Sequence, residues 1–138
     1  MKITRRQTIL MGAAAAIVVP SLGWASATDD AIAAFTGGAE AQAGDGLTLT
    51  APEIAENGNT VPIEVSAPGA EAILVLAAGN PAPEVGEFKF GPLSGEQMAS
   101  TRIRLAGTQE VIAIAKMPDG SFQRASQEVK VTIGGCGG

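Results

Sequence analysis

The sequence contains no histidine and no tyrosine, and its 138 residues include a single cysteine, Cys136, and a single tryptophan, Trp24. These absences remove most residue types that carry acid-base, metal or radical chemistry. Any chemistry of the chain's own must rest on carboxylates or on Cys136. Positive charge is also scarce, with 9 basic residues against 14 acidic ones for a net charge of −5. Three of the basic residues, Lys2, Arg5 and Arg6, stand at the N-terminus; without them 6 face 14 and the net charge is −8. Such an acidic chain is a poor binder of nucleic acid or of an anionic membrane surface. Long hydrophobic runs are missing as well. The apolar stretch from Ile9 to Val19 is short and alanine-rich, whereas a comfortable membrane span needs about 20 apolar residues.

What is present at the N-terminus reads as an address. A charged start, the apolar run, a break at Pro20 and the small residues Ala25-Ser26-Ala27 form a cleavable leader, residues 1–27. The pair Arg5-Arg6, preceded by Thr4 and followed by Gln7-Thr8-Ile9-Leu10, resembles the bacterial twin-arginine export signal. Thr8 departs from it, standing where a large apolar residue is usual, so ordinary Sec export stays open. Both routes lead out of the cytoplasm, and no membrane insertion is expected after cleavage.

The remaining length suits one small domain, residues 28–133. The alanine-rich segment from Asp29 to Glu40 reads as a short helix, started by Asp29 and Asp30 and ended by Gly37-Gly38. From Leu47 onward, period-two runs separated by Gly, Pro and Asn predict strands. Alternation picks out Leu47 and Leu49; Val61, Ile63 and Val65; Phe88 and Phe90; Ile103 and Leu105 between Arg102 and Arg104; and Val129, Val131 and Ile133. The runs Ala72 to Ala77 and Val111 to Ala115 are apolar throughout, as a strand covered on both faces requires. The turn Pro118-Asp119-Gly120 closes the second of them. About seven strands with regular turn signals predict an all-β fold, an immunoglobulin-like antiparallel β-sandwich with a short N-terminal helix. Arg102 and Arg104, opposite an apolar face, read as a solvated surface, with a partner interface as the other option.

The tail is Gly134-Gly135-Cys136-Gly137-Gly138. Glycine on both sides gives Cys136 no neighbouring side chain to pack with, and an unpaired cysteine in an exported chain implies an intermolecular bond or a reactive thiol. Glycine adopts nearly all backbone conformations. Gly134, Gly135, Gly137 and Gly138 therefore predict a flexible arm, residues 134–138, with a reach of about 15 Å when extended. An arm of this kind delivers a thiol and does not hold one in catalytic register. The nearest basic residue in sequence, Lys130, is six positions away, so activation of the thiol is expected from a partner. No catalytic residue and no metal ligand is expected in the chain itself.

The twin-arginine-like leader, the small acidic β-rich domain and the terminal Gly134-Gly135-Cys136-Gly137-Gly138 together resemble the SoxY family, the sulfur-carrier subunits of thiosulfate-oxidising Sox systems. Asn80-Pro81-Ala82-Pro83 through Phe88, Arg102-Ile103-Arg104 and Met117-Pro118-Asp119-Gly120 are also similar to the family's pattern. The resemblance implies a periplasmic carrier that pairs with a SoxZ-like subunit and holds thiosulfate-derived sulfur covalently on Cys136. It further implies transient visits to SoxXA, SoxB and, where present, SoxCD, with no cofactor other than the bound sulfur. The alternative reading of the residues is an exported β-sandwich module that dimerises through a Cys136 disulfide.

Overall fold

The computed structural model describes residues 24–135. Arg5 and Arg6 of the expected export signal, and Cys136, Gly137 and Gly138 of the tail, lie outside the described residues.

The described residues open with helix α1, Trp24–Thr36, which starts earlier than the expected Asp29 and ends before the expected Glu40. Ala25 and Ala27 extend the helix toward the N-terminus because alanine has the strongest helix propensity. Gly37 and Gly38 then stop it, both at positive φ (68° and 92°). The Gly38 N–H donates to the Ala33 carbonyl at 3.1 Å, a Schellman closure that only this left-handed pair permits at low cost. Glu40 therefore belongs to the linker that follows.

Nine strands follow among the described residues: β1 (Ala41–Ala43), β2 (Thr48–Thr50), β3 (Ile54–Asn57), β4 (Val61–Ser66), β5 (Ala72–Ala77), β6 (Glu84–Lys89), β7 (Met98–Ile103), β8 (Gln109–Lys116) and β9 (Phe122–Ile133). They form two sheets. The larger runs β1-β9-β8-β5-β6, with β3 also paired to β9; the smaller runs β2-β4-β7. The all-β sandwich read from the sequence is the architecture found. It is not antiparallel throughout, however, because β1 and β3 both pair parallel to β9. They lie end to end along one edge of this twelve-residue strand, β1 opposite Phe122 to Arg124 and β3 opposite Lys130 to Ile133. The chain thereby covers an edge whose backbone groups would otherwise be open to a foreign strand.

The core has two parts. Between the sheets, Val61, Ile63, Val65, Ile73, Val75, Leu105, Val111, Ala113 and Val129 pack together. On the other face of the larger sheet, Leu74, Leu76, Ile112, Ile114 and Phe122 are covered by Ala31, Ile32 and Phe35 of α1. Phe35 meets Phe122 edge to face, with ring centroids 5.8 Å apart. This explains the uninterrupted apolar runs. β5 is buried at all six positions because the small sheet covers one face and the helix the other. Each large aliphatic side chain removed from water here contributes about 1.5–3 kcal/mol. The β8–β9 hairpin turns at Met117-Pro118-Asp119-Gly120 as expected, with the Gly120 N–H donating to the Met117 carbonyl at 3.0 Å. Among the described residues no helix is long and apolar enough to cross a membrane.

Candidate functional site

β9 ends at Ile133, where the sequence places the last strand's end, and the tail follows at once. Three backbone segments meet there: the end of β9, the residue after β3, and the chain leaving β7. Because β3 pairs with the last residues of β9, Asn57 lies opposite Ile133 and Gly58 comes beside the start of the tail.

A relay of backbone hydrogen bonds joins these segments. The Gly58 N–H donates to the Ile133 carbonyl at 2.7 Å, the Leu105 N–H to the Gly58 carbonyl at 2.8 Å, and the Gly135 N–H to the Leu105 carbonyl at 2.8 Å. Glycine is required here for closeness, not for an unusual φ. A methyl group on Gly58 would collide with the Leu105 carbonyl oxygen and stand 2.7 Å from the Gly135 nitrogen and 3.0 Å from the Ile133 oxygen. One on Gly134 would collide with the Ala106 carbonyl oxygen, and one on Gly135 would stand 2.7 Å from the Gly58 oxygen. All of these obstacles are backbone atoms, which cannot turn aside as a side chain can. Gly134 and Gly135 are thus built into the end of the fold, and the five-residue arm read from the sequence is held over its first two residues.

The segment that holds them is itself fixed from below. Asn80, 1% exposed, sits in the turn after β5. Its Nδ2 donates to the Arg104 carbonyl at 2.8 Å, while its Oδ1 accepts from the Ala106 N–H at 2.9 Å and from Gln109 Nε2 at 2.8 Å. Gln109 completes the network: Nε2 also donates to the Gly107 carbonyl at 3.1 Å, and Oε1 accepts from the Gly79 N–H at 2.9 Å. The hydroxyl oxygen of Thr108 accepts from the Val131 N–H at 2.9 Å, tying the same segment to β9. A buried polar network in which each member is satisfied rigidifies the backbone it touches. Removing Asn80 would orphan several buried groups at about 1–3 kcal/mol each.

The basic residues of this region face solvent. Arg102 and Arg104 are exposed, as their alternation with Ile103 and Leu105 predicts. Arg104 directly precedes Leu105, the residue whose carbonyl holds Gly135, and lines a surface hollow with Asn80, Ala82, Glu84 and Val85. Gly58, Asn80 and Gln109 were not singled out for the site by sequence reasoning, because the contacts that tie them to one another and to the tail's anchor span 24 residues or more. Among the described residues no group of three or more His, Cys, Asp or Glu is placed to hold a metal ion.

Residues 32–136 match the family model described as sulfur oxidation protein SoxY. The matched stretch thus contains the whole sandwich and Cys136. Among solved structures, the sulfur carrier protein SoxY from Chlorobium limicola f thiosulfatophilum is similar at 38% sequence identity and a TM-score of 0.69, over 78% of this chain and 94% of that one. A superoxide reductase (neelaredoxin) from Ignicoccus hospitalis is similar at 21% identity and a TM-score of 0.55, over 62% of this chain and 79% of that one, a likeness of fold alone. No curated protein sequence matches the chain.

Proposed function

The chain belongs to the SoxY family of sulfur oxidation proteins, and from that premise we propose that it is a periplasmic sulfur carrier that holds thiosulfate-derived sulfur covalently on Cys136 and presents it to partner enzymes. It is a carrier and not an enzyme. The observation that carries this reading is the family match itself, which extends through the sandwich to the only cysteine of the chain.

The chemistry suits one thiol and nothing more. In the loading step, which we assign to the haem enzyme SoxXA, the Cys136 thiolate and the outer sulfur of thiosulfate form a sulfur–sulfur bond with loss of two electrons to the haem partner. The product is an S-thiosulfonate. Water then displaces sulfate in a hydrolysis assigned to SoxB, leaving a persulfide and a proton. SoxCD, where present, oxidises the remaining outer sulfur. Each intermediate keeps a sulfur–sulfur bond or an oxidised sulfur at one fixed address, and covalent attachment prevents its escape between steps. A SoxZ-like subunit is the proposed constant partner. Export through the twin-arginine route, directed by Arg5 and Arg6, would deliver the chain already folded.

The thiol has no base beside it in sequence, and a solvated thiol with a pKa of about 8.5 is only partly ionised at neutral pH. Activation is therefore assigned to the partner active sites. The test is Cys136→Ser in a reconstituted thiosulfate-oxidising mixture. Turnover should fall to the level seen without the carrier; turnover that persists would exclude this role for Cys136.

A further inference from the structure

The tail glycines invite the picture of a thread free from Ile133 onward. Gly134 and Gly135 do not behave that way: Gly135 donates to Leu105, and both glycines pass Gly58 and Ala106 at distances that exclude any side chain. We propose that Gly58, with Asn80 behind it, is a positioning residue for the carrier cysteine, forming a clamp that fixes where Cys136 leaves the sandwich and how far it reaches. This inference rests on the carrier reading of Cys136 for its purpose, though not for its geometry.

The argument follows the hydrogen bonds inward. Gly58 spends both of its backbone polar groups on the clamp, its N–H on Ile133 and its carbonyl on Leu105. Leu105 passes the hold to Gly135. The position of Leu105 is set by its neighbours Arg104 and Ala106, which Asn80 grips by carbonyl and by N–H. A side chain with 1% exposure that joins a turn after β5 to the anchor of the tail fixes that anchor to an interior strand of the larger sheet.

The clamp changes the reach. With Gly135 held, bond geometry keeps the sulfur of the next residue within about 7 Å of the Gly135 Cα. Released at Ile133, the three residues to Cys136 and its side chain let the sulfur lie up to about 13 Å from the Ile133 Cα. A partner with a shallow active site is served by the closed clamp. One with a deep channel must break the Gly135–Leu105 bond, so docking and opening are linked through a single end of the sandwich.

The experiment uses the full reduced chain and no sulfur chemistry, so its outcome is separate from that of the carrier reading. Amide hydrogen exchange should show Gly135 protected at least about 100-fold relative to an unstructured glycine. In Gly58→Ala and in Asn80→Ala, Gly135 should lose at least about tenfold of that protection while Val75 of β5 stays slow. A nitroxide attached to Cys136, the only cysteine, should give a visibly sharper spectrum in both variants. If Gly58→Ala does not fold, the wild-type exchange and Asn80→Ala still decide the question. An unprotected Gly135 in the wild type overturns the clamp. So does an unchanged nitroxide spectrum in a folded variant.

Discussion

At the scale of single residues, the division between what is legible and what is not follows sequence distance. Cys136 declares itself because it has no competitor and no neighbouring side chain. Asn80 stands in Gly79-Asn80-Pro81, which reads as a turn and is one, yet its task is set by Arg104, Ala106 and Gln109. Nothing local in the sequence announces that. Gly58 is similar: Asn57-Gly58-Asn59 looks like a turn glycine, while the actual demand is the approach of two other backbones. Asn80→Ala should lower stability by about 2–4 kcal/mol through orphaned buried groups, measurable by urea unfolding. A loss under about 0.5 kcal/mol would mean that water replaces the side chain without penalty. Gly134→Ala should be costlier than a glycine substitution in an open loop such as Gly95→Ala, where nothing lies within 4 Å of the added methyl. Comparing the two melting temperatures checks this.

At the scale of elements, strands with strong alternation or unbroken apolar runs were readable, and short strands that depend on a distant partner were not. β4, β5 and β8 carry their burial pattern in their own residues. β1 and β3 are Ala-Gln-Ala and Ile-Ala-Glu-Asn, segments with no pattern to read, made into strands by the length of β9. The helix was placed a few residues late because its acidic pair looked like a start, whereas alanines before it continue the helix. Phe35→Ala should remove the edge-to-face contact with Phe122 and open one end of the outer core, lowering stability by about 2 kcal/mol given that Phe35 is only partly buried. The β8–β9 turn offers a pH test. The backbone N–H and hydroxyl of Ser121 both donate to Asp119 Oδ1, at 2.9 and 2.6 Å, and hold its carboxyl below the ordinary value of 3.8. A lowered pKa means that the turn's contribution is present above that value and is lost as pH falls through the folded-state pKa beneath it. Carboxyl resonances should titrate accordingly, and Ser121→Ala should return the midpoint toward 3.8.

At the scale of the whole molecule, the sandwich is a scaffold shared with proteins of other function, as the likeness to a superoxide reductase illustrates, and the fold alone does not identify the role. What separates this chain is its family membership and the way β3, β7 and β9 converge on the base of the tail. If residues 1–27 are removed as the sequence leads one to expect, Trp24 leaves with them and no tyrosine remains. The exported protein should then be nearly transparent at 280 nm, and a clear tryptophan emission would show the leader retained.

The most direct measurement is the intact mass of the protein isolated from thiosulfate-grown cells of its native host, taken before and after treatment with reductant. Sulfur and thiosulfate additions on the monomer that map to Cys136 and vanish on reduction are the expected result. A disulfide-linked dimer that reduces to an unmodified monomer, with no sulfur adduct at any stage, would contradict the carrier role and favour a structural use of the same cysteine.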